Sequence, residues 1–378
     1  MVKYTSHAGG GGRVQEETRK DIMKYIAYVG HQTDDKNEGI RILEVDAETG
    51  RFYQRRLLHV PNAIYMAINR AKTRLYTSFS DSAFGPRGKS GGLAAYAIEG
   101  DDLVKINALG TGASTPCHVS LAPDEKALVY AEYGGATAGF VELADDGALK
   151  GPAVQTAITD PAGPNKPRQD KPHAHCAIVS PDSKNLCVVD LGVDQVKVYD
   201  WADRANGLKE IPSRTIHNTP AGAGPRHILF HPNGKLAFVI FELENYVTSY
   251  RYDGECFHPV QQLSLLPAGF TDFSKAAAIK LSEDGKQLFC SNRGHDSIAV
   301  FAVDPDTGLI ALLNIMKLGG AFPRDFEFFP GGKFLLAGLK MSGILRSYAY
   351  NSSKCTLEPV MDMAGLYRPL FIKFGNPA

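Results

Sequence analysis

The sequence predicts an all-β fold: a seven-bladed β-propeller whose ring is closed by the C-terminal strand joining the N-terminal blade. Three observations point there. A strand–turn–strand unit recurs along the chain at a spacing of roughly 50 residues, the range of propeller blades. The two ends of the chain supply complementary fragments of one further unit. Long stretches of helical periodicity are absent, which removes the α/β alternatives.

The unit reads as Pro or a small residue, a variable residue, an apolar strand, a turn rich in Pro, Asp, Asn and Gly, and a second strand. It occurs as "NAIYMAINRAKTRLYTSF" (62–79), "PCHVSLAPDEKALVYAEY" (116–133) and "AHCAIVSPDSKNLCVVDL" (174–191). It returns as "PRHILFHPNGKLAFVIFE" (225–242), "AAAIKLSEDGKQLFCSNR" (276–293) and "PRDFEFFPGGKFLLAGLK" (323–340). A third alternating run follows, such as "NYVTSYRYD", and then a weaker fourth such as "HPVQQLSLL". Four short strands make one blade. At the N-terminus, "KYIAYVGHQ" (24–32), "GIRILEVD" (39–46) and "FYQRRLLHV" (52–60) form a blade lacking its first strand. "RPLFIKFG" (368–375) is a first strand lacking a blade. Joining them removes the free edges that an open array exposes. Residues 1–22 are expected to be a flexible extension with a short helix near 14–22, and 23–378 a single propeller domain.

Composition narrows the function. The 378 residues carry 41 basic and 41 acidic side chains, so the net charge is zero and nothing favours a polyanion partner such as nucleic acid. No window is apolar enough for a membrane helix, and the N-terminus lacks the apolar core of a signal peptide. The six cysteines have no C-x-x-C spacing and most sit in apolar runs, as reduced buried thiols of a cytoplasmic protein do. "GGGG" (9–12) and "GTGAST" (110–115) lack the strand–helix setting of a phosphate loop, and no G-x-S-x-G elbow is present.

Blade geometry turns the alignment into a site. The start of the first strand and the end of the second lie on the same rim of the central channel. The variable residue at the first strand's head reads, in blade order, Leu370, Ala63, Cys117, His175, Arg226, Ala277 and Arg324. The end of the second strand adds Glu242, Arg293 and Lys340, with Asp190 close to the equivalent place. Alone, an arginine at a strand head is most often salt-bridged and a strand-ending carboxylate most often caps a turn. Their concentration at one register, beside alanine and leucine in other blades, instead predicts a charged channel mouth. A surplus of cations there calls for a bound anion. "PHAH" places His173 and His175 on one face of a strand, short of a metal-binding set. His118, His227, His231 and His295 are expected to satisfy backbone groups or lie exposed, and "RGHD" to fix Arg293 through Asp296.

The segments "KPHAHCAIVSPD", "VVDLGVDQVKVYD", "GAGPRHILFHPNGK", "FELENYVTSYRYD", "SNRGHDSIAVFAVD" and "FPRDFEFFPGGKFLLAG" together resemble the lactonase propeller family. That family contains bacterial propeller-type 6-phosphogluconolactonases and fungal 3-carboxy-cis,cis-muconate lactonizing enzymes. The resemblance spans about residues 24–375 and implies a site in the central channel. By motif, the family's His, two Arg and Glu fall on His175, Arg226, Arg293 and Glu242. The chain departs from the family at Phe241, where Asn is usual, in the "GLKMSG" loop (338–343), and in loops 82–92 and 160–172 at the entrance.

The resemblance implies hydrolysis of an anionic sugar lactone, most closely 6-phosphogluconolactone. His175, Glu242, Arg226 and Arg293 would be catalytic. Arg324, His173, Asp190 and Lys340 would bind substrate. His175 or Glu242 would activate water, with His175 favoured because its ordinary pKa is near neutrality. No cofactor or metal is expected. The expected partner is a small anionic lactone, with neither nucleic acid nor membrane, acting on a monomer or small homo-oligomer. A lactonizing cycloisomerase and a non-catalytic binding scaffold remain alternatives.

Overall fold

The repeat becomes seven four-stranded antiparallel sheets. The computed structural model describes residues 23–33, 39–85, 91–217 and 221–377. The expected extension over 1–22, its short helix included, lies outside the described residues, as does the 86–90 part of loop 82–92.

Blades 2 to 6 follow chain order, with inner strands Met66–Ile68, His118–Leu121, Ala174–Val179, Pro225–Phe230 and Lys275–Leu281. Blade 7 begins with Pro323–Phe328. Blade 1 takes its inner strand, Pro369–Pro377, from the C-terminus and pairs it antiparallel with Lys24–His31. The ring closes as the terminal fragments require.

Sequence sets the role of each strand within a blade. Middle strands are covered on both faces and read as continuous apolar runs, as in Leu236–Phe241 (LAFVIF), where every residue is buried. Outer strands such as Phe257–Ser264 (FHPVQQLS) are polar and largely open to solvent. Apolar clusters fill every blade–blade interface around the ring. Fully buried anchors such as Trp201, Phe238 and Phe289 each contribute about 1.5–3 kcal/mol by leaving water.

The turn between first and second strands needs a left-handed residue. Gly234, Gly285 and Gly332 supply it at φ of +69°, +72° and +68°, where glycine adopts the conformation without a Cβ penalty. This explains the "NGK", "DGK" and "GGK" signatures of blades 5 to 7.

Two further devices position the channel mouth. The first is a β-bulge at the head of the inner strand. In blade 5 Pro225 pairs with Phe241 and His227 with Ile240, so Arg226 is the extra residue. The same slip isolates His175 in blade 4, Arg324 in blade 7 and Leu370 in blade 1. A bulge re-aims one side chain out of the pleat. In these four blades the variable position of the sequence repeat is the bulged position.

The second device links neighbouring blades. Asp194, Asn245 and Asp296 occupy left-handed turn positions at φ of +58°, +52° and +54° between second and third strands. Each reaches the strand head of the next blade. Asp194 accepts from Gly222 and Gly224 N–H at 2.6 and 2.8 Å, pinning the corner before Arg226. Asn245 donates to Ser274 O at 3.0 Å, and Asp296 accepts from Phe322 N–H at 2.7 Å. Asp296 thus fixes the corner before Arg324 in the next blade. It also accepts from Gly294 N–H at 3.0 Å, so the turn that follows Arg293 in its own blade is held as the sequence predicts.

Candidate active site

Glu242 is the centre of the charged mouth. It is 2% exposed. Its Oε2 meets Arg293 Nη2 at 2.8 Å and Arg226 Nε at 3.2 Å, and its Oε1 meets Arg168 Nη2 at 2.7 Å. Burial alone would raise the carboxyl, but Arg293, Arg226 and Arg168 together hold it well below the usual carboxylate range. Backbone carbonyls complete the arginine shell. Arg226 Nη1 donates to Ala277 O at 2.6 Å, and Arg293 Nη2 donates to Ala276 O at 2.6 Å. These two guanidiniums are locked in place.

Arg324 and Lys340 are different. Both are half-buried, and among the described residues neither side chain has a hydrogen-bond or ion-pair partner. Burial, then Arg324, Arg368 and Arg293, push the Lys340 ammonium down to about 8. Burial and Arg293 lower Arg324 as well. Cations depress one another in this way when no anion separates them.

His175 is buried at the same mouth. Its Nδ1 has no hydrogen-bond partner among the described residues. Burial first, and then Arg226, hold it well below the ordinary histidine range, so it is neutral near pH 7. Its ring stands edge-on to Tyr133 and to His227, with centroids 5.7 and 5.2 Å away. The mouth therefore combines a neutral imidazole, a triply paired carboxylate, two locked arginines and unpaired cations. Such a set can bind an anion, stabilise an oxyanion and accept a proton.

Two residues assigned to substrate binding have partners outside the arginine cluster. Asp190 pairs with Ala174 in the ladder, the position held by Phe241, Asn292 and Leu339 in the next three blades. It lies one residue before the Glu242 register, and one residue reverses a strand side chain. Its Oδ1 instead accepts the N–H groups of His173, Gly192 and Val193 at 2.8, 2.8 and 3.1 Å. Burial raises its pKa to about 6. His173 precedes the inner strand. It stacks on Tyr133 at 4.1 Å, with Nδ1 on Tyr133 O and Nε2 on Asp170.

Sequence reasoning missed three kinds of residue. Arg168 comes from loop 160–172, flagged for its composition but not for this side chain. Tyr133 immediately follows its second strand, as Glu242 and Lys340 do, a signal present in the alignment. His118 does serve a backbone group, accepting Ala177 N–H at 3.4 Å, but both it and His227 are buried in the channel, which the sequence reading did not foresee. Their rings are 5.4 Å apart, and Tyr65 lies 4.3 Å from His118. Burial lowers His118 to about 3 and His227 well below its usual range. His231 does serve backbone groups, bonding Asn233 N–H and Gly285 O.

The other end of the channel opens into a cavity of about 580 Å³ lined by Tyr65, His118, His227, Lys280, Glu327 and Phe371. Its charges are internally balanced, since Lys280 bonds Glu327 at 3.0 Å and Asp325 at 3.5 Å. Charge is thus balanced at this end and unbalanced at the arginine mouth.

Residues 26–374 match the lactonase, seven-bladed β-propeller family. The chain belongs to that family. A relative from Bacillus subtilis, 6-phosphogluconolactonase, is 35% identical over 359 residues, covering 93% of this chain and 99% of its own. Among solved structures, the periplasmic gluconolactonase PpgL of Pseudomonas aeruginosa superimposes with a TM-score of 0.87 at 29% identity. That match covers 94% of this chain and all of the other. A protein from Lactobacillus plantarum gives 0.83 at 30% identity over 94% of this chain and 100% of its own. The propeller is a 6-phosphogluconolactonase-like lactonase. Among the described residues, no helix is long and apolar enough to cross a membrane.

Proposed function

We propose that this lactonase hydrolyses an anionic sugar lactone, 6-phosphogluconolactone being the nearest candidate, at the arginine mouth. The observation that carries the reading is the charge imbalance: Arg324 and Lys340 are half-buried cations whose side chains have no ion-pair partner among the described residues. Burying charge without a partner is costly, and a phosphate or carboxylate on the substrate removes that cost. Lys275, whose ammonium is lowered by burial and by Arg168, adds to the same field.

The neutral imidazole of His175 removes a proton from water as the oxygen attacks the lactone carbonyl carbon. The carbonyl oxygen becomes an oxyanion facing Arg226 and Arg293, whose geometry is fixed before substrate arrives. Collapse breaks the ring C–O bond, and the imidazolium returns its proton to the departing alkoxide. Glu242 holds both arginines and favours the transient imidazolium. Its three guanidinium partners make it a poor base, so His175 takes that role.

His175→Ala and Arg226→Ala are each expected to lower kcat on 6-phosphogluconolactone by at least ~100-fold. Full turnover in both variants, measured with corrections for spontaneous hydrolysis, excludes this assignment. Assaying gluconolactone and muconolactone beside the phosphate ester separates the substrate classes.

A further inference from the structure

Arg168 differs from the other two cations on Glu242. Arg226 and Arg293 sit on strands, are buried, and are tied to carbonyl oxygens of blade 6. Arg168 belongs to the loop before blade 4, and its side chain is 26% exposed. Among the described residues it alone pairs with Glu242 Oε1, and its other polar contact is Tyr133 Oη at 3.3 Å. It also lines a surface cleft of about 470 Å³ with Asn165, Phe273 and Lys275, whose ammonium lies 5.3 Å from the Phe273 ring centroid. The loop backbone is firmly held: Gln169 donates to Leu191 O at 2.8 Å and Gly163 N–H donates to Gly192 O at 2.8 Å. Only the side chain has room to exchange partners.

The proposal rests on the lactonase reading above and deepens it. We propose that Arg168 is a substrate-responsive positioning residue: an anionic substrate draws its guanidinium off Glu242 Oε1, and the uncovered carboxylate then supports proton uptake by His175. An anion entering among Arg168, Lys275, Arg324 and Lys340 competes directly with Glu242 for Arg168. Once Oε1 is released, Glu242 keeps Arg226 and Arg293 on Oε2 but is less neutralised. Its attraction for a proton on His175 rises accordingly. The groups facing His175 are Arg226, Glu242 and His227 of blade 5, Arg324 of blade 7, and Tyr133 and Cys117 of blade 3. Of these, Glu242 is the one that favours the charged imidazole. The device makes the base strongest when an anionic substrate is bound.

The test follows His175 directly, by imidazole NMR on histidine-labelled full-length protein, with the resonance assigned through His175→Gln. Adding inorganic phosphate to the wild type is expected to raise the His175 titration midpoint. Arg168→Gln is expected to raise it by ~1 unit without phosphate, as loss of one nearby cation does, and to abolish the phosphate response. Arg168→Lys should restore part of that response. In kinetics, the acid limb of kcat/KM on neutral gluconolactone should move to higher pH in Arg168→Gln. The KM advantage of 6-phosphogluconolactone over gluconolactone should shrink ~10-fold, the size of one charged hydrogen bond. A His175 midpoint unmoved by both phosphate and Arg168→Gln overturns the proposal. A phosphate-responsive midpoint in a wild type that hydrolyses no lactone upholds the Arg168 exchange and overturns the lactone chemistry instead.

Discussion

Blades 5 and 7 carry the same Pro-Arg strand head in the same bulge, yet their arginines lead different lives. Arg226 is buried, bonded to Ala277 O and paired with Glu242. Arg324 is half-buried, with no hydrogen-bond or ion-pair partner among the described residues. The difference comes from the next residue in the rim register. Blade 5 ends its second strand on Phe241 and follows it with Glu242, whereas blade 7 follows Leu339 with Lys340. An identical backbone thus yields a carboxylate-locked arginine in one blade and, in the other, an arginine with no such partner among the described residues. Bulge and register decide where a side chain points; the neighbouring charge decides what it is for.

Acid is the broadest way to break the Arg226 side. His118, His175 and His227 are buried and neutral, so the unfolded chain binds more protons than the native one below about pH 6.5. Stability should therefore fall as pH drops through that value, by about 1.4 kcal/mol per pH unit for each imidazole. Asp190, raised to about 6, works in the opposite direction because its native form takes up the proton more readily. The net loss between pH 6.5 and 5 should be about 4 kcal/mol, read from denaturant midpoints. A midpoint flat across that range removes the neutral-imidazole picture.

Glu242→Ala comes next. It leaves two fully buried guanidiniums without their carboxylate, at a cost of about 3–5 kcal/mol in chemical denaturation. Wild-type stability in this variant would mean that the ion pairs at Glu242 are dispensable.

Arg324→Gln sharpens the contrast with Arg226→Ala. It removes an unpaired charge, so the melting temperature should hold or rise while KM for the anionic lactone increases ~10- to 100-fold. Inorganic phosphate should raise the wild-type melting temperature and leave that of Arg324→Gln nearly unmoved. A clear drop in stability would show Arg324 to be structural, erasing the distinction between the blades.

The corner residues give the smallest effects. Asp194→Ala should cost about 1–3 kcal/mol of stability by freeing the buried N–H groups of Gly222 and Gly224, and Asp296→Ala less, since the Phe322 N–H it frees is only partly buried. Asp296→Ala should weaken binding of the anionic lactone through Arg324, whereas Asp194→Ala should lower kcat through Arg226. Equal kinetic effects on both parameters would contradict the separate roles of the two corners.

The repeat by itself determined the blade count, the ring closure and the mouth positions, because strand alternation and turn chemistry are local. Pro or a small residue before the variable one marks the strand head in the repeat, which is why His175, Arg226 and Arg324 align in the sequence. Asp190 lies one residue short of the rim register, a difference that a sequence alignment tolerates and a pleat does not. The turn after Arg293 was legible because Asp296 accepts from Gly294 two residues away, whereas its second partner, Phe322, lies in the following blade. Only the tertiary structure brought Arg168 onto Glu242, 74 residues later in the chain, or turned His118 and His227 into the channel. Those contacts depend on loop path and ring curvature, and neither is written in the periodicity of the strands.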